Sequence, residues 1–408
     1  MRKVMICCLI LMLVLFVAGP VLNSRNKIAD DNEESKKVET VNSEMTSVET
    51  TSEEQTEKET EKETDASMQP VEINIRMVGD MLMHDYVQTN GMREDGTYKY
   101  DHLFANVKNE ISTADVAVVN QEVIIGGDEL GIQNYPRFNC RHEVGDAIAA
   151  AGFDVVLHAT NHTMDQGVDG VINCMNFWET NHPEIKYLGI HKSEEESREI
   201  YVYEKDGFRV SMLNYTYGLN GSQPPSDKKY LIDILDEDKV RDDIRRAKEI
   251  SDCIVVFPHW GTEYSLEISS EQKKWAKIFA DEGVTLVIGT HPHVIEPVEW
   301  VEGTDGNSML VYYSLGNFVS AQDKAEAMLG AMADVTLLRD ETGNVIVKDY
   351  KAIPLVTHRQ AGTASVTTYK LSDYTEELSQ ANRIRRNDSS FSIAKMNDIW
   401  NQVMDGIR

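Results

Sequence analysis

The sequence predicts an α/β fold with a largely parallel sheet that is covered by helices on both faces. Two observations support this prediction. Between residues 71 and 320, short apolar runs alternate with polar turns and with segments of helical length, which is the pattern of strand–helix–strand units. Nearly every cluster of Asp, Glu, Asn and His follows directly after one of these runs. Open α/β sheets build their sites at that position, beyond the carboxyl ends of the strands.

The strands are predicted from runs that are short, rich in branched residues and bounded by turn residues. Residues 284–288, Val-Thr-Leu-Val-Ile, are the clearest example because glycines lie on both sides of the run. A strand-rich stretch also covers 200–217. The predicted strands of the body, in chain order, are 73–78, 116–119, 153–157, 253–257, 284–288 and 309–313.

The helices are predicted between these strands from apolar residues at helical spacing. They cover 104–114, 144–151, 168–181, 238–251 and 270–281. The body proper is predicted over 71–320. The last part, 321–408, is expected to complete the same domain with strands at 333–338, 345–350 and 353–358, and to end in a helix across 373–402.

The N-terminus predicts a membrane segment over residues 1–22. Arg2 and Lys3 precede a largely apolar stretch of residues 4–22, long enough to span a bilayer. We expect a single-pass anchor in the cell membrane, with the positive flank inside and the body outside the cell. A cleaved signal peptide that yields a secreted protein is the alternative.

Residues 23–70 form a linker of different composition, with 14 acidic and 6 basic residues and few large apolar ones. Such a stretch cannot bury a core, so it is predicted to be disordered.

The whole chain has a net charge of −28. The linker contributes −8 and Arg2 and Lys3 contribute +2, which leaves −22 for residues 71–408. This charge argues against a nucleic-acid partner. It also disfavours any polyanionic substrate unless cations mediate the contact.

Six predicted strand ends deliver a mixed set of carboxylate, amide and imidazole side chains to one edge of the sheet. Such a set suits Mn, Fe or Zn better than Ca or Mg. Two divalent ions that share a bridging carboxylate would use this many ligands. The two imidazoles of a His-Pro-His sequence can reach two adjacent ions or hold one. The set comprises Asp80, Glu122, Asn161, His162, His259, His291, His293 and Asn317.

The motifs that carry this set resemble the CapA family of poly-γ-glutamate capsule synthesis proteins. The resemblance runs in order from about residue 73 to 320. It implies the calcineurin-like metallophosphatase fold, an αββα sandwich. The motifs are Gly79-Asp80-Met-Leu-Met-His84, Asn120-Gln-Glu122, Asn161-His162-Thr-Met-Asp165, His259-Trp-Gly-Thr-Glu263, Gly289-Thr-His291-Pro-His293 and Ser314-Leu-Gly-Asn317.

The resemblance also implies roles for individual residues. Asp80 and His293 would bind one metal ion. A second ion would be bound by Asn161, His259 and His291, with Glu122 between the two. His162 matches the position that serves as general acid in phosphatases, where an imidazole can protonate a leaving oxygen.

Several other residues are left with two interpretations each. His84 either binds metal or hydrogen-bonds to a ligand. Arg137 either holds a substrate anion or pairs with local acids. Asp165 either begins the following helix or contacts substrate. Glu263, like Asn317, is predicted to line or support the site.

The expected function is that of a membrane-anchored, extracellular protein similar to CapA, which takes part in making, exporting or tethering an anionic surface polymer such as poly-γ-glutamate. The membrane, that polymer and the membrane subunits of a polymer ligase are the expected partners. The alternative is a dinuclear-metal hydrolase of phosphoesters or related bonds at the cell surface.

Overall fold

A computed structural model describes residues 69–404, which form a mixed α/β fold and confirm the predicted class. The anchor predicted at 1–22 lies outside the described residues, as does all of the predicted linker except its last two positions. Within the described part of the chain, no helix has both the length and the apolar character that crossing a bilayer requires.

The strands divide between two sheets. In the first sheet, four strands of the N-terminal half run parallel, and three strands from the C-terminal part add antiparallel on one side. The members are β1 (Val71–Met81), β2 (Val116–Asn120), β3 (Val155–Leu157), β4 (Lys186–Leu188), β11 (Asn317–Val319), β12 (Leu329–Arg339), β13 (Val345–Arg359) and β14 (Val366–Lys370). Their order is β14-β13-β12-β1-β2-β3-β4, and the short strand β11 pairs parallel with the end of β1.

The second sheet consists of β5 (Tyr201–Lys205), β6 (Phe208–Thr216), β7 (Cys253–His259), β8 (Leu286–Ile288), β9 (Val298–Glu302) and β10 (Ser308–Tyr312). Its order is β5-β6-β7-β8-β10-β9, with a parallel centre and one antiparallel strand at each edge. The helices are α1 (Asp85–Asn90), α2 (Lys108–Ser112), α3 (His142–Ala151), α4 (Gly167–Asn181), α5 (Glu237–Ile250), α6 (Ser270–Asp281), α7 (Glu376–Ala381) and α8 (Ile393–Val403).

The two sheets pack face to face, and helices cover their outer faces. Alternate residues of β1, including Ile73 and Ile75, join residues of the second sheet such as Val255 and Leu286 in one buried cluster. Separate clusters join α3 and α4 to the first sheet and α5 and α6 to the second. The layers therefore follow the order helix, sheet, sheet, helix. This is the αββα order that the family resemblance implies. The alternation of strands and helices alone indicated one largely parallel sheet, because local periodicity does not say which strands pair.

The C-terminal part differs from the prediction in two places. The strands predicted at 345–350 and 353–358 are one continuous strand, β13, which pairs with β12 from Val345 to Val356 through a bulge. The helix predicted across 373–402 is interrupted. The side chain of Asn382 accepts a hydrogen bond from the backbone N–H of Ile384 and starts a short 3₁₀ helix, so α7 ends there and α8 begins only at Ile393.

The end of β1 is held against the chain before β11 by a close backbone contact. The N–H of Asp80 donates to the carbonyl of Gly316 at 2.9 Å, and Asp80 lies opposite Asn317 in the pairing. A Cβ placed on Gly79 would lie 1.9 Å from the oxygen of Gly316. A glycine is required at position 79 because any side chain would separate these two segments.

We expect Gly79→Ala to lower the free energy of unfolding by about 1–3 kcal/mol, because the added methyl group overlaps a backbone oxygen that cannot move freely. Urea unfolding followed by circular dichroism measures this change. Gly218→Ala is the matched control, since a Cβ at that position meets no atom within 4 Å. Equal stability of the two variants would show that β1 and the Gly316 segment are not tightly packed.

Candidate metal centre

The loop after β8 holds two histidines in an uncommon backbone conformation. His291 has φ 104° and His293 has φ 61°, whereas residues other than glycine rarely adopt positive φ. Strain of this kind persists only where the surrounding structure enforces it, and it is concentrated at functional sites. Here both rings are turned inward: each residue is only 2% exposed, and the ring centroids lie 5.9 Å apart.

The first group of possible ligands consists of Asp80, Glu122 and His293. One donor atom of each lies within 4.8 Å of the others. The Oδ2 atom of Asp80 is 3.2 Å from Nδ1 of His293, and Oε2 of Glu122 is 3.8 Å from the same nitrogen. The carboxylate of Asp80 is further oriented by the side-chain amide of Asn120, which donates to its Oδ1 atom at 2.8 Å.

The second group consists of Glu122, His259 and His291, again with donor atoms within 4.8 Å of one another. Oε1 of Glu122 lies 3.7 Å from Nε2 of His259, and Oδ1 of Asn161 lies 2.9 Å from that same nitrogen. The structure therefore brings Asn161 to this second group. Because each oxygen of Glu122 faces a different group, its carboxylate lies between the two, as the family resemblance implies.

The carboxylate of Glu122 has no hydrogen-bond partner within the described residues, although the side chain is completely buried. Burial raises the pKa of Glu122 well above its usual value, and the nearby charge of Asp80 raises it further. An unpaired buried carboxylate costs several kcal/mol unless a cation compensates it. Nδ1 of His291 is likewise buried without a partner in the described chain. These orphaned atoms, together with the mixed oxygen and nitrogen donors, fit a divalent metal ion.

The histidines of the second group are held in their neutral form. Burial lowers the pKa of His259 well below its usual value, and the charges of His291 and His293 lower it further. Burial likewise lowers the pKa of His291, with His293 adding to the effect. A neutral imidazole is the form that binds metal, so these shifts favour binding over protonation.

His162 and Asp165 form a pair beside these groups. Nδ1 of His162 lies 2.7 Å from Oδ2 of Asp165, and the same oxygen accepts the backbone N–H of Phe138 at 2.8 Å. The Asp165 carboxylate therefore orients the imidazole rather than starting α4. Arg137 donates from Nε and Nη2 to the backbone carbonyl of Asp165, at 3.2 and 3.1 Å, and forms no ion pair with a carboxylate of the described chain.

The pair opens onto a cleft of about 560 Å³. Exposed Glu263 lies on its wall, and its charge is one of those that raise the pKa of Glu122. The lining residues are Tyr135, Pro136, Arg137, His162, Met164, Asp165, Asn220, Ser222 and Glu263.

His84 and Asn317 lie near the site, and His84 belongs to neither ligand group. Nδ1 of His84 accepts the backbone N–H of Ala321 at 3.3 Å, and burial lowers the pKa of His84 to about 4. The amide of Asn317 donates to Gln322 and to the carbonyl of Ala327. Both residues therefore brace the loop after β11.

Several further residues, to which no motif assigns a role, contact the ligand groups. Asn120 orients Asp80, and Thr290 Oγ1 lies 3.0 Å from Nδ1 of His259. The rings of Tyr217 and Tyr264 pack on His291 and His293, at 4.6 and 5.9 Å between centroids. Asn120 and Thr290 lie within the motifs and could have been found there. The tyrosines come from separate loops and carry no local signal.

Comparison with known proteins gives a family match. The model of the family described as bacterial capsule synthesis protein PGA_cap matches residues 74–322. The PGA biosynthesis protein CapA of Bacillus subtilis (strain 168) is 25% identical over 292 residues, which is 66% of this chain and 69% of that protein. The capsule biosynthesis protein CapA of Bacillus anthracis is 26% identical over 260 residues, 62% of this chain and 60% of that protein.

Similar solved structures include the NAD nucleotidase of Haemophilus influenzae, with 12% identity and a TM-score of 0.46 over 82% of this chain and 60% of that chain. A 5′-nucleotidase precursor from Thermus thermophilus has 13% identity and a TM-score of 0.41 over 70% of this chain and 54% of that chain.

We expect Glu122→Gln to lower the affinity for Mn²⁺ or Zn²⁺ by at least about tenfold, because it removes the one carboxylate that both groups share. Metal content after loading and desalting, measured by mass spectrometry, tests this. Glu296→Gln is the matched control, since Glu296 is equally buried but belongs to neither group. Equal metal content in the two variants would contradict a metal centre at Glu122.

Proposed function

This chain belongs to the bacterial capsule synthesis protein PGA_cap family, and from that premise we propose that it acts in the synthesis, export or anchoring of an anionic surface polymer such as poly-γ-glutamate. One observation carries the proposal. The residues matched by the family model, 74–322, contain every member of the two ligand groups. The part of the chain that is shared with the family is therefore the part that builds the site.

The proposed centre holds two divalent ions, with Mn, Fe and Zn as the metals that suit its donors. Asp80, Glu122 and His293 hold one position, and Glu122, Asn161, His259 and His291 hold the other. A divalent ion supplies positive charge and Lewis acidity toward an oxygen of an anionic substrate. The surrounding residues exclude water from the ligands, since all of these side chains are almost completely buried.

The proposed location is the outer face of the cell membrane. The apolar stretch at 4–22, with Arg2 and Lys3 before it, supports a membrane segment. The acidic stretch at 23–70 would then hold the body away from the surface, where it could meet membrane subunits of a polymer ligase. Secretion after signal cleavage is the alternative within this proposal.

A second candidate function, hydrolysis of a phosphoester or a related bond, is favoured by the His162–Asp165 pair. Asp165 holds Nδ1 of the imidazole at 2.7 Å, which fixes the orientation of the ring and directs Nε2 away from this contact. From that position Nε2 can give a proton to a leaving oxygen. The adjacent cleft of about 560 Å³ has room for such a substrate, and Arg137 lines it.

For the capsule function, we expect His291→Ala in the producing organism to reduce cell-bound polymer to the level of a strain that lacks the gene. The measurement is the amount of polymer recovered from washed cells, with immunoblotting to show equal protein. His182→Ala is the control, because His182 pairs with Asp146 at the surface and belongs to neither ligand group. Unchanged polymer in the His291→Ala strain would contradict the proposed function.

For the hydrolase candidate, we expect the metal-loaded protein to turn over a member of a phosphomonoester and phosphodiester panel. His162→Ala should then lower kcat by about 100-fold or more, as loss of a general acid does, while metal content stays unchanged. His182→Ala again serves as the control. If the metal-loaded native protein turns over no member of the panel, phosphoester hydrolysis is excluded.

A further inference from the structure

Three arginines lie close together on the short 3₁₀ helix that interrupts the C-terminal region. This helix spans Arg383–Arg386, and its Ile384 is completely buried while Arg383 and Arg386 are exposed. Residues three apart on a 3₁₀ helix eclipse one another, so Arg383 and Arg386 lie on the same face. The two guanidinium groups are therefore presented together.

Buried contacts hold this helix rigidly in place. Asn382, which is 2% exposed, caps the helix with its oxygen and donates from Nδ2 to the carbonyl of Thr357 and to the hydroxyl of Tyr374, both at 3.0 Å. The arginines consequently project from a segment that is fixed to β13 and does not need to be ordered on binding. A preorganised site loses less conformational entropy when a ligand binds.

The arginines border a surface cleft of about 410 Å³, which we call the arginine cleft. None of its lining residues is acidic. They are Gln360, Ala361, Gln380, Ala381, Asn382, Arg383, Arg385 and Arg386.

The positive charge of the arginine cleft is not neutralised by the described chain. Neither Arg383 nor Arg386 has a carboxylate oxygen within 4.0 Å among residues 69–404, although that part carries a net charge of −22. Arg385 donates to the backbone carbonyl of Phe391, and the guanidinium of Arg383 lies over the ring of Tyr86 at 4.6 Å. In a chain with so many carboxylates, guanidinium groups left without one are available to an external anion.

A buried arginine lies beside the cleft in the sequence, directly before Gln360. Arg359 is 4% exposed and its Nη2 atom lies 3.9 Å from Oδ1 of Asp323. The same Nη2 atom donates to the carbonyl of Gln322 at 2.8 Å. The side chain of Gln322 in turn donates to the hydroxyl of Tyr264, whose ring packs on His293. These contacts run from the residue that precedes Gln360, at the border of the cleft, to a tyrosine beside the ligand groups.

We propose that the arginine cleft binds a carboxylate-bearing polymer and holds the chain next to the metal centre. A guanidinium fork matches the geometry of a carboxylate, and adjacent forks can hold successive carboxylates of one chain. Repulsion from the acidic body does not prevent this, because salt screens charges beyond about 8–10 Å. This inference rests on the proposed function, since it takes an anionic polymer as the ligand and adds where that polymer is bound.

The test measures binding of fluorescein-labelled poly-γ-glutamate to the full-length chain by fluorescence anisotropy. A chelator is present so that free cations do not bridge the protein and the polymer. We expect R383Q/R386Q to weaken binding by about tenfold or more, because losing one charge-assisted hydrogen bond can cost that factor. The dependence of binding on salt should also become shallower. The control is R198Q/R245Q, which removes the same charge from two exposed arginines elsewhere, and it should leave binding nearly unchanged.

Three outcomes would overturn the inference: no binding by the native protein, equal loss in the two double variants, or tighter binding of polyphosphate than of poly-γ-glutamate. Failure here is distinguishable from failure of the proposed function. If His291→Ala abolishes cell-bound polymer but the native chain binds no labelled polymer, the proposal for the arginine cleft is wrong and the proposed function stands. If binding depends on Arg383 and Arg386 but the His291→Ala strain retains cell-bound polymer, the proposed function is wrong and the proposal for the arginine cleft stands.

Discussion

The buried carboxylate of Glu122 is the constraint around which the site is organised. It lies between two groups of donors, has no hydrogen-bond partner in the described chain and is close to a second carboxylate, Asp80. In the absence of a cation this arrangement is costly, and it is accompanied by strained backbone at His291 and His293. Both unfavourable features would be compensated by a divalent ion bound between the buried oxygen and nitrogen donors. The close backbone contact at Gly79 and Gly316 places Asp80 where this interaction requires it.

Charge is distributed unevenly over the molecule, and this matters for the kind of ligand it can bind. The body is strongly acidic, which by itself disfavours an anionic polymer. At two places the local charge instead favours an anionic ligand. One is the metal centre, once cations occupy it, and the other is the arginine cleft, where two exposed guanidinium groups have no carboxylate partner in the described chain. Because screening limits the range of the remaining charge, such local sites can decide what binds.

Much of the site could be predicted because its signals are local. Asp80, His259 and the His-Pro-His sequence each come directly after an apolar run, and parallel strands bring such positions to one edge. The roles of Asp165 and Arg137 could not be predicted in the same way. Asp165 orients His162 and Arg137 holds a backbone carbonyl, contacts that depend on how a loop folds back on α4. Tyr264 and Arg383 were missed for the same reason, since each reaches its partners from a segment that has no motif.

The amino-acid sequence alone determined the α/β class, the strand-end positions of the possible ligands and the family resemblance, because periodicity and short motifs are encoded by neighbouring residues. The tertiary structure decided how the strands divide between two sheets, that Glu122 faces both ligand groups, and that Asn382 ends the predicted C-terminal helix. These features depend on contacts between residues far apart in the chain, such as Asp80 with His293 and Asn382 with Thr357. These contacts are stabilised by packing and electrostatic interactions, which a pattern of neighbouring residues does not reveal.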